Sequence, residues 1–362
     1  MINHDCTSLE WITRVSALHN NADKILVEKV IRALMLHEGL AVSGLDFCFK
    51  GGTATMLLLE KPRRMSIDID IIVPDANADI PATLDKVCAQ QGFTGWTVVE
   101  RQNKGLIHKT HYRLHFLSNV SRAREQFILL DVLHEQVGYS KTIQKPLTSS
   151  FIENEDAAVL VTMPDINSIT GDKLTAFSPN TIGIPYSKGG HDRGMEIIKQ
   201  LYDCWTLLQE MRDYETVAEV YYRVSQIELG YRGLKLAPAD ALKDTIDSCL
   251  CIMGRGGIRP AEYSNFLAGI GAIQGHIFNG RLNGENAGLL ACEILYLAAC
   301  LLTGQKSYDR VGDADAFIDR ELAMKGIKRI RYIRNVDPRA YAYLVKAIDL
   351  LQAAGYYTDS IL

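Results

Sequence analysis

The sequence predicts an α+β protein, with a mixed β-sheet flanked by helices over residues 1–164 and a helical domain over residues 165–362. Three observations predict it. Short β-branched and aromatic runs alternate with helix-period segments through the first half. From Ile166 onward helix-period patterns broken by Gly and Pro dominate, with no convincing strand. Between Phe47 and Val73 the stretch FCFKGGTATMLLLEKPRRMSIDIDIIV reads as strand, glycine turn, helix, strand, and the rest of the chain is arranged around it.

Taken in order, Val27, Val30, Ile31 and Leu34 space an amphipathic helix over residues 23–37, with Gly39 as its stop. Phe47 to Phe49 form a strand that runs into Lys50, Gly51, Gly52 and Thr53. After Asp70 the chain leaves the sheet at Pro74, and residues 81–91 form a helix closed by Gly92. Strands are expected over residues 96–100, 112–116 and 127–132, with an edge strand over 157–161 and a boundary at Met163-Pro164. The segment 178–193, rich in Gly and basic residues, reads equally as a mobile loop touching substrate or as a disordered connector.

Composition bounds the function. At 362 residues the chain can hold two domains with real cores, and 47% hydrophobic with 23% charged residues is typical of soluble globular proteins. A net charge of −4 provides no overall basic field, so nucleic-acid binding would rest on local patches. The eight cysteines contain no C-x-x-C pair and read as reduced core residues of a cytoplasmic protein. The sequence shows no signal peptide and no run of eighteen apolar residues, so no membrane association is expected.

In a strand, residues i and i+2 share a face, so Asp68 and Asp70 project together while Ile67, Ile69 and Ile71 face the other way. Two carboxylates held that close repel. A divalent cation is their usual compensation, and oxygen-only ligands favour magnesium or manganese over zinc. Upstream, Gly51 and Gly52 permit a sharp turn and leave amides open at a helix start, a place suited to phosphate. The alternative is a surface strand with solvated aspartates, which fits poorly with so apolar a strand.

The order K-G-G-T-A followed by R-x-S-x-D-x-D resembles the AbiEii/AbiGii toxin family of nucleotidyltransferases, a branch of the DNA polymerase β-like superfamily. The resemblance covers approximately residues 20–210. It extends to Lys173, in a K-L-x-A element, and to Asp203, in a K-x-x-Y-D-x-x-x-L element. Two departures stand out: Met65 occupies a place where an aromatic is common, and no arginine follows Lys173 where many relatives carry one.

The resemblance implies a nucleotidyltransferase sheet and a site with defined roles. Asp68, Asp70 and Asp131 would hold two magnesium (or manganese) ions. Lys50, Gly51, Gly52, Thr53 and Ser66 would bind a nucleoside triphosphate, with Lys173 neutralising phosphate charge and Asp203 orienting Lys173 or the nucleotide. From the residues alone, Asp131 in FILLDVL is either a satisfied buried acid or a functional one, and Asp203 could simply pair with Lys199 one helical turn away. The implied acceptor is RNA, most simply the 3′ end of transfer RNA, with a cognate antitoxin as partner and blocked translation as the outcome. Transfer to a protein or small molecule, or nucleotide binding without transfer, are the alternatives.

Lys325, Lys328, Arg329, Arg331 and Arg334 with Tyr332 suit a phosphate-binding surface, although Ile327, Ile330 and Ile333 fit a half-buried helix whose cations face water. His108, Lys109, His111 and Arg113 read as a solvated hairpin. Ser66 reads equally as a small residue hydrogen-bonded to the turn or as a switch, since a phosphate on it would add close to two negative charges beside the aspartates and silence the site.

Overall fold

The computed structural model describes residues 1–99, 109–278, 280–322 and 330–356. The chain divides into two units, one of Met1–Ile169 with Gly275–Gly280 and one of Thr170–Gln274 with Arg281–Leu362.

In the first unit, α1 (Leu9–Leu18) and α2 (Lys24–Val42) begin where Ser8 and Asp23 side chains accept the first free amides, from Trp11 and from Ile25 and Leu26. The organising stretch follows as β1 (Cys48–Lys50), α3 (Gly51–Leu58) and β2 (Ile69–Ile72). Next come α4 (Ile80–Gln91), β3 (Gly95–Val98), β4 (Lys109–Leu117) and β5 (Glu125–Leu133). Asp79 caps α4, Pro81 sits in its first turn, and Gly92 ends it with φ of 69° in the left-handed region. The five strands form one mixed sheet in the order β1-β2-β5-β4-β3. Only β2 and β5 are parallel. Ile69, Ile71, Leu114, Phe116, Ile128, Leu130 and Val132 are buried, as strand alternation requires of one face, and α2 packs beside α4.

Two sequence expectations change here. Gly39 does not stop α2, which continues to Val42. A Cβ at Gly39 would lie 2.9 Å from Val87 Cγ1, so this glycine lets α2 and α4 approach closely. The expected edge strand at 157–161 is instead β7 (Leu160–Pro164), paired with β6 (Thr142–Pro146) in a separate two-stranded sheet. The polar run of β6 hid its strand character.

His37 lies fully buried on α2, its ring 3.8 Å from that of Phe49 between centroids, and neither ring nitrogen has a partner among the described residues. Burial depresses its pKa to about 3 from 6.5. The unfolded chain takes up this proton first, so the stability tied to neutral His37 is present above pH 6.5 and is lost as pH falls toward 3. His37→Leu should therefore gain roughly 2 kcal/mol on wild type when both are moved from pH 7.5 to pH 5. Urea denaturation at the two pH values checks this, and parallel losses in both proteins would refute it.

The second unit starts within α5 (Ile166–Ala176) and continues through β8 (Ser187–Lys188) and β9 (His191–Asp192). Its helices are α6 (Gly194–Glu210), α7 (Tyr214–Tyr231), α8 (Pro238–Met253), α9 (Pro260–Ala272), α10 (Gly284–Leu302), α11 (Tyr332–Val336) and α12 (Pro338–Ala353). The 178–193 segment is no unstructured connector: β8 and β9 pair across Gly189 and Gly190, both at positive φ as a two-residue hairpin turn needs. It is also a place where paired strands interrupt the helical second half. Helix α10 packs against α6, α8 and α12. By length and composition it could cross a membrane, contrary to the reading of the sequence, yet 67% of its apolar window is buried inside the protein, as befits a central core helix.

Candidate active site

Strand register builds the site in the first unit. Lys50 lies opposite Asp70, Asp70 opposite Asp131, and Asp131 opposite His111, so four polar residues on β1, β2, β5 and β4 form one row across the sheet. Neighbouring strands lie about 4.8 Å apart, which keeps each residue within reach of the next. Asp68 precedes β2 and is exposed, whereas Asp70 is half-buried within it.

The glycines of α3 are required by close approach. Gly51 adopts φ of 79°, and a Cβ on it would stand 2.2 Å from Asp70 Oδ2. A Cβ on Gly52 would stand 2.6 Å from Ser66 Oγ and 3.0 Å from Arg64 Nη2. Lys50, the residue before α3, puts no side-chain cap on the first amides of this helix, which start beside the Ser66 hydroxyl and the Arg64 guanidinium. Arg64 and Ser66 are both nearly buried. The segment that carries them is held by Met65 N donating to His276 O at 2.7 Å and by a bridge between Arg64 and Ile277. Thr53 departs from its expected role. It is fully buried, and its hydroxyl donates to the Asp68 carbonyl at 2.7 Å, which fixes the carboxylate-bearing segment rather than offering a donor to phosphate.

Gly51→Ala should strain the left-handed turn and push Asp70 aside, costing about 1–2 kcal/mol from backbone conformation alone. Transfer activity should fall by at least roughly tenfold, since misplacing a reacting geometry by an ångström costs up to a hundredfold. Unchanged stability and kinetics would show that the turn tolerates a side chain.

Charges along the row are unequal. Burial raises the Asp70 carboxyl to about 6; Lys109 opposes this, while Asp131 and Asp68 repel it further. Asp131 is also partly buried, but a hydrogen bond from His111 and the adjacent Lys109 hold it down at about 2. Lys109 Nζ stands 2.7 Å from Asp131 Oδ2, and His111 Nδ1 stands 2.5 Å from Oδ1. With Asp131 ionised, Nδ1 carries the proton and donates. Lys109 and His111 thus stand against a candidate site carboxylate, which the solvated-hairpin reading missed. The available signal was their i, i+2 spacing, which puts both on one strand face. His108 lies outside the described residues.

Asp68 and Asp70 fit a hard divalent cation: two carboxylates, one of them exposed, with the Asp70 carboxyl raised to about 6 by burial first and then by Asp131 and Asp68, a burden that a bound cation would relieve.

In the second unit, Lys173 on α5 and Asp203 on α6 are both nearly buried. Lys173 Nζ lies 3.0 Å from Asp203 Oδ2 and donates to Gln200 Oε1 at 3.1 Å. Asp203 therefore faces a lysine 30 residues away and not only its own helix. Of the basic run, Lys325, Lys328 and Arg329 lie outside the described residues. Arg331 and Arg334 sit at the surface, 3.2 Å from Glu321 and 3.1 Å from Asp319, while Ile330 and Ile333 are buried.

No curated protein matches the chain. Among solved structures it is similar to JHP933 from Helicobacter pylori, at 13% identity and a TM-score of 0.40, over 76% of this chain and 90% of that one. It is also similar to MenT4, a nucleotidyltransferase toxin from Mycobacterium tuberculosis, at 13% identity and a TM-score of 0.41, over 63% of this chain and 76% of that one. The model of the family described as nucleotidyl transferase AbiEii toxin, type IV toxin–antitoxin system, matches residues 34–248, a span that contains every candidate site residue from Lys50 to Asp203. Since that model spans more than half of the chain, the chain belongs to the AbiEii family of nucleotidyltransferase toxins.

Proposed function

We propose that this enzyme transfers a nucleotide from a nucleoside triphosphate to the 3′ end of transfer RNA in a magnesium- or manganese-dependent reaction, and so blocks translation in the cytoplasm until a cognate antitoxin restrains it. The observation that carries the reading is the juxtaposition of the start of α3, which no side chain caps, with Asp70, against which Gly51 is packed. In this reading the Gly51 and Gly52 amides, with Lys50, Ser66 and Arg64 beside them, bind the triphosphate. Asp68 and Asp70 hold the cation, which when bound supplies charge neutralisation at the phosphates and a more acidic acceptor hydroxyl. For Lys173, which Asp203 and Gln200 hold in the second unit, the family resemblance supplies the role of neutralising phosphate charge. The choice of RNA as acceptor rests on family membership, since the described cations of the basic run already face carboxylates.

The test is incubation of the protein with each labelled nucleoside triphosphate, magnesium and total cellular RNA. Label at the 3′ end of transfer RNA is the expected result. Label in protein, or in no macromolecule, would overturn the choice of acceptor.

A further inference from the structure

We infer that the site takes a single divalent cation, on Asp68 and Asp70, and that Lys109, fixed by Asp131, occupies the charge position where a second cation would bridge Asp70 and Asp131. The inference rests on the metal-dependent reading above and reassigns Asp131 from metal ligand to positioning residue.

Asp70 and Asp131 are register neighbours on parallel strands, the arrangement in which two carboxylates ordinarily share an ion. Here both oxygens of Asp131 are engaged, Oδ2 by the Lys109 ammonium at 2.7 Å and Oδ1 by His111 Nδ1 at 2.5 Å. Lys109 is also the foremost charge acting on Asp70. An ammonium held on Asp131 Oδ2, beside the register position of Asp70, does part of the work of a cation and repels a divalent ion that approaches the same oxygen. His111 is nearly buried, and through Nδ1 it closes the other side of Asp131. Consistent with this, no three His, Cys, Asp or Glu side chains among the described residues gather as ligands of one ion. The exposed Asp68 and the half-buried Asp70 are the other two carboxylates of this cluster.

The experiment counts bound Mn²⁺ by electron paramagnetic resonance and calorimetry, with one equivalent of a non-hydrolysable triphosphate analogue. Wild type should bind one Mn²⁺ per chain. Asp131→Asn keeps the size and the His111 hydrogen bond and should change Mn²⁺ affinity less than twofold, whereas losing a true ligand should weaken it tenfold or more. Lys109→Met, which frees Asp131, should admit a second Mn²⁺, and Lys109→Arg should restore a count of one. Thermal melts confirm that each variant is folded, and if Lys109→Met is not, the Asp131→Asn affinity decides alone. Two Mn²⁺ in wild type, or a tenfold loss in Asp131→Asn, would overturn the single-cation assignment while leaving the proposed function standing. No bound Mn²⁺ would overturn both.

Discussion

Replacing Asp70 with Asn is expected to abolish nucleotide transfer while making the metal-free protein more stable at neutral pH. The two effects share one cause. Asp70 is half-buried beside Asp68 and Asp131, and its carboxyl titrates at about 6 where an unfolded chain titrates at 3.8. The folded state therefore holds this proton more tightly. The stability so contributed is complete below pH 3.8 and disappears as pH rises through about 6, so at pH 7 the metal-free fold carries an ionised group it disfavours. Asn removes that burden, worth roughly 1–3 kcal/mol after allowance for partial exposure. The same substitution removes a cation ligand, and transfer should fall at least roughly a hundredfold to a thousandfold, as when one group stabilising transition-state charge is lost. Asp68→Ala should match the loss of activity without the gain in stability, because Asp68 is exposed. Denaturation in EDTA at pH 7 and pH 4, with transfer assays beside it, checks both halves. An active Asp70→Asn would remove the basis of the site, and a variant no more stable than wild type at pH 7 would show that the crowding of carboxylates costs the fold nothing.

Most of the sheet was legible because strand alternation and helix caps are local. The i, i+2 aspartates, the run FILLDVL, and Gly92 at the end of α4 each carry their meaning within a few residues. What escaped depends on register between distant segments. His111 and Asp131 are 20 residues apart, and only the antiparallel pairing of β4 with β5 makes them partners. Thr53 reads as a phosphate donor until the Asp68 carbonyl, 15 residues on, takes its hydroxyl. Gly39 reads as a helix stop because its reason for being glycine lies on α4. The strap from Met65 to His276 has no local signature at all. Of the candidate site, the residue types and their spacing were readable, but not which oxygen each cation takes.

Asp203→Ala should be the most destabilising substitution among the site residues. Lys173 Nζ and Asp203 Oδ2 are 3.0 Å apart in side chains exposed by only 8% and 4%, so deleting the carboxylate leaves a buried ammonium hydrogen-bonded to the neutral Gln200 oxygen without its counter-charge. Breaking a buried pair in this way costs about 3–5 kcal/mol. If Asp203 served only an exposed pair with Lys199 one turn away on α6, the loss would be about 0.5 kcal/mol or less. The two readings are therefore separated by several kcal/mol in a urea melt. Replacing both partners, as Lys173→Met with Asp203→Leu, removes the charges together and should recover much of the lost stability, because well-packed apolar residues often substitute for a buried pair without net cost. That double variant also divides structure from chemistry. If Lys173 meets the triphosphate, the restabilised protein should still transfer no nucleotide and should bind triphosphate more weakly than wild type. Recovery of transfer along with stability would leave the pair a purely structural one.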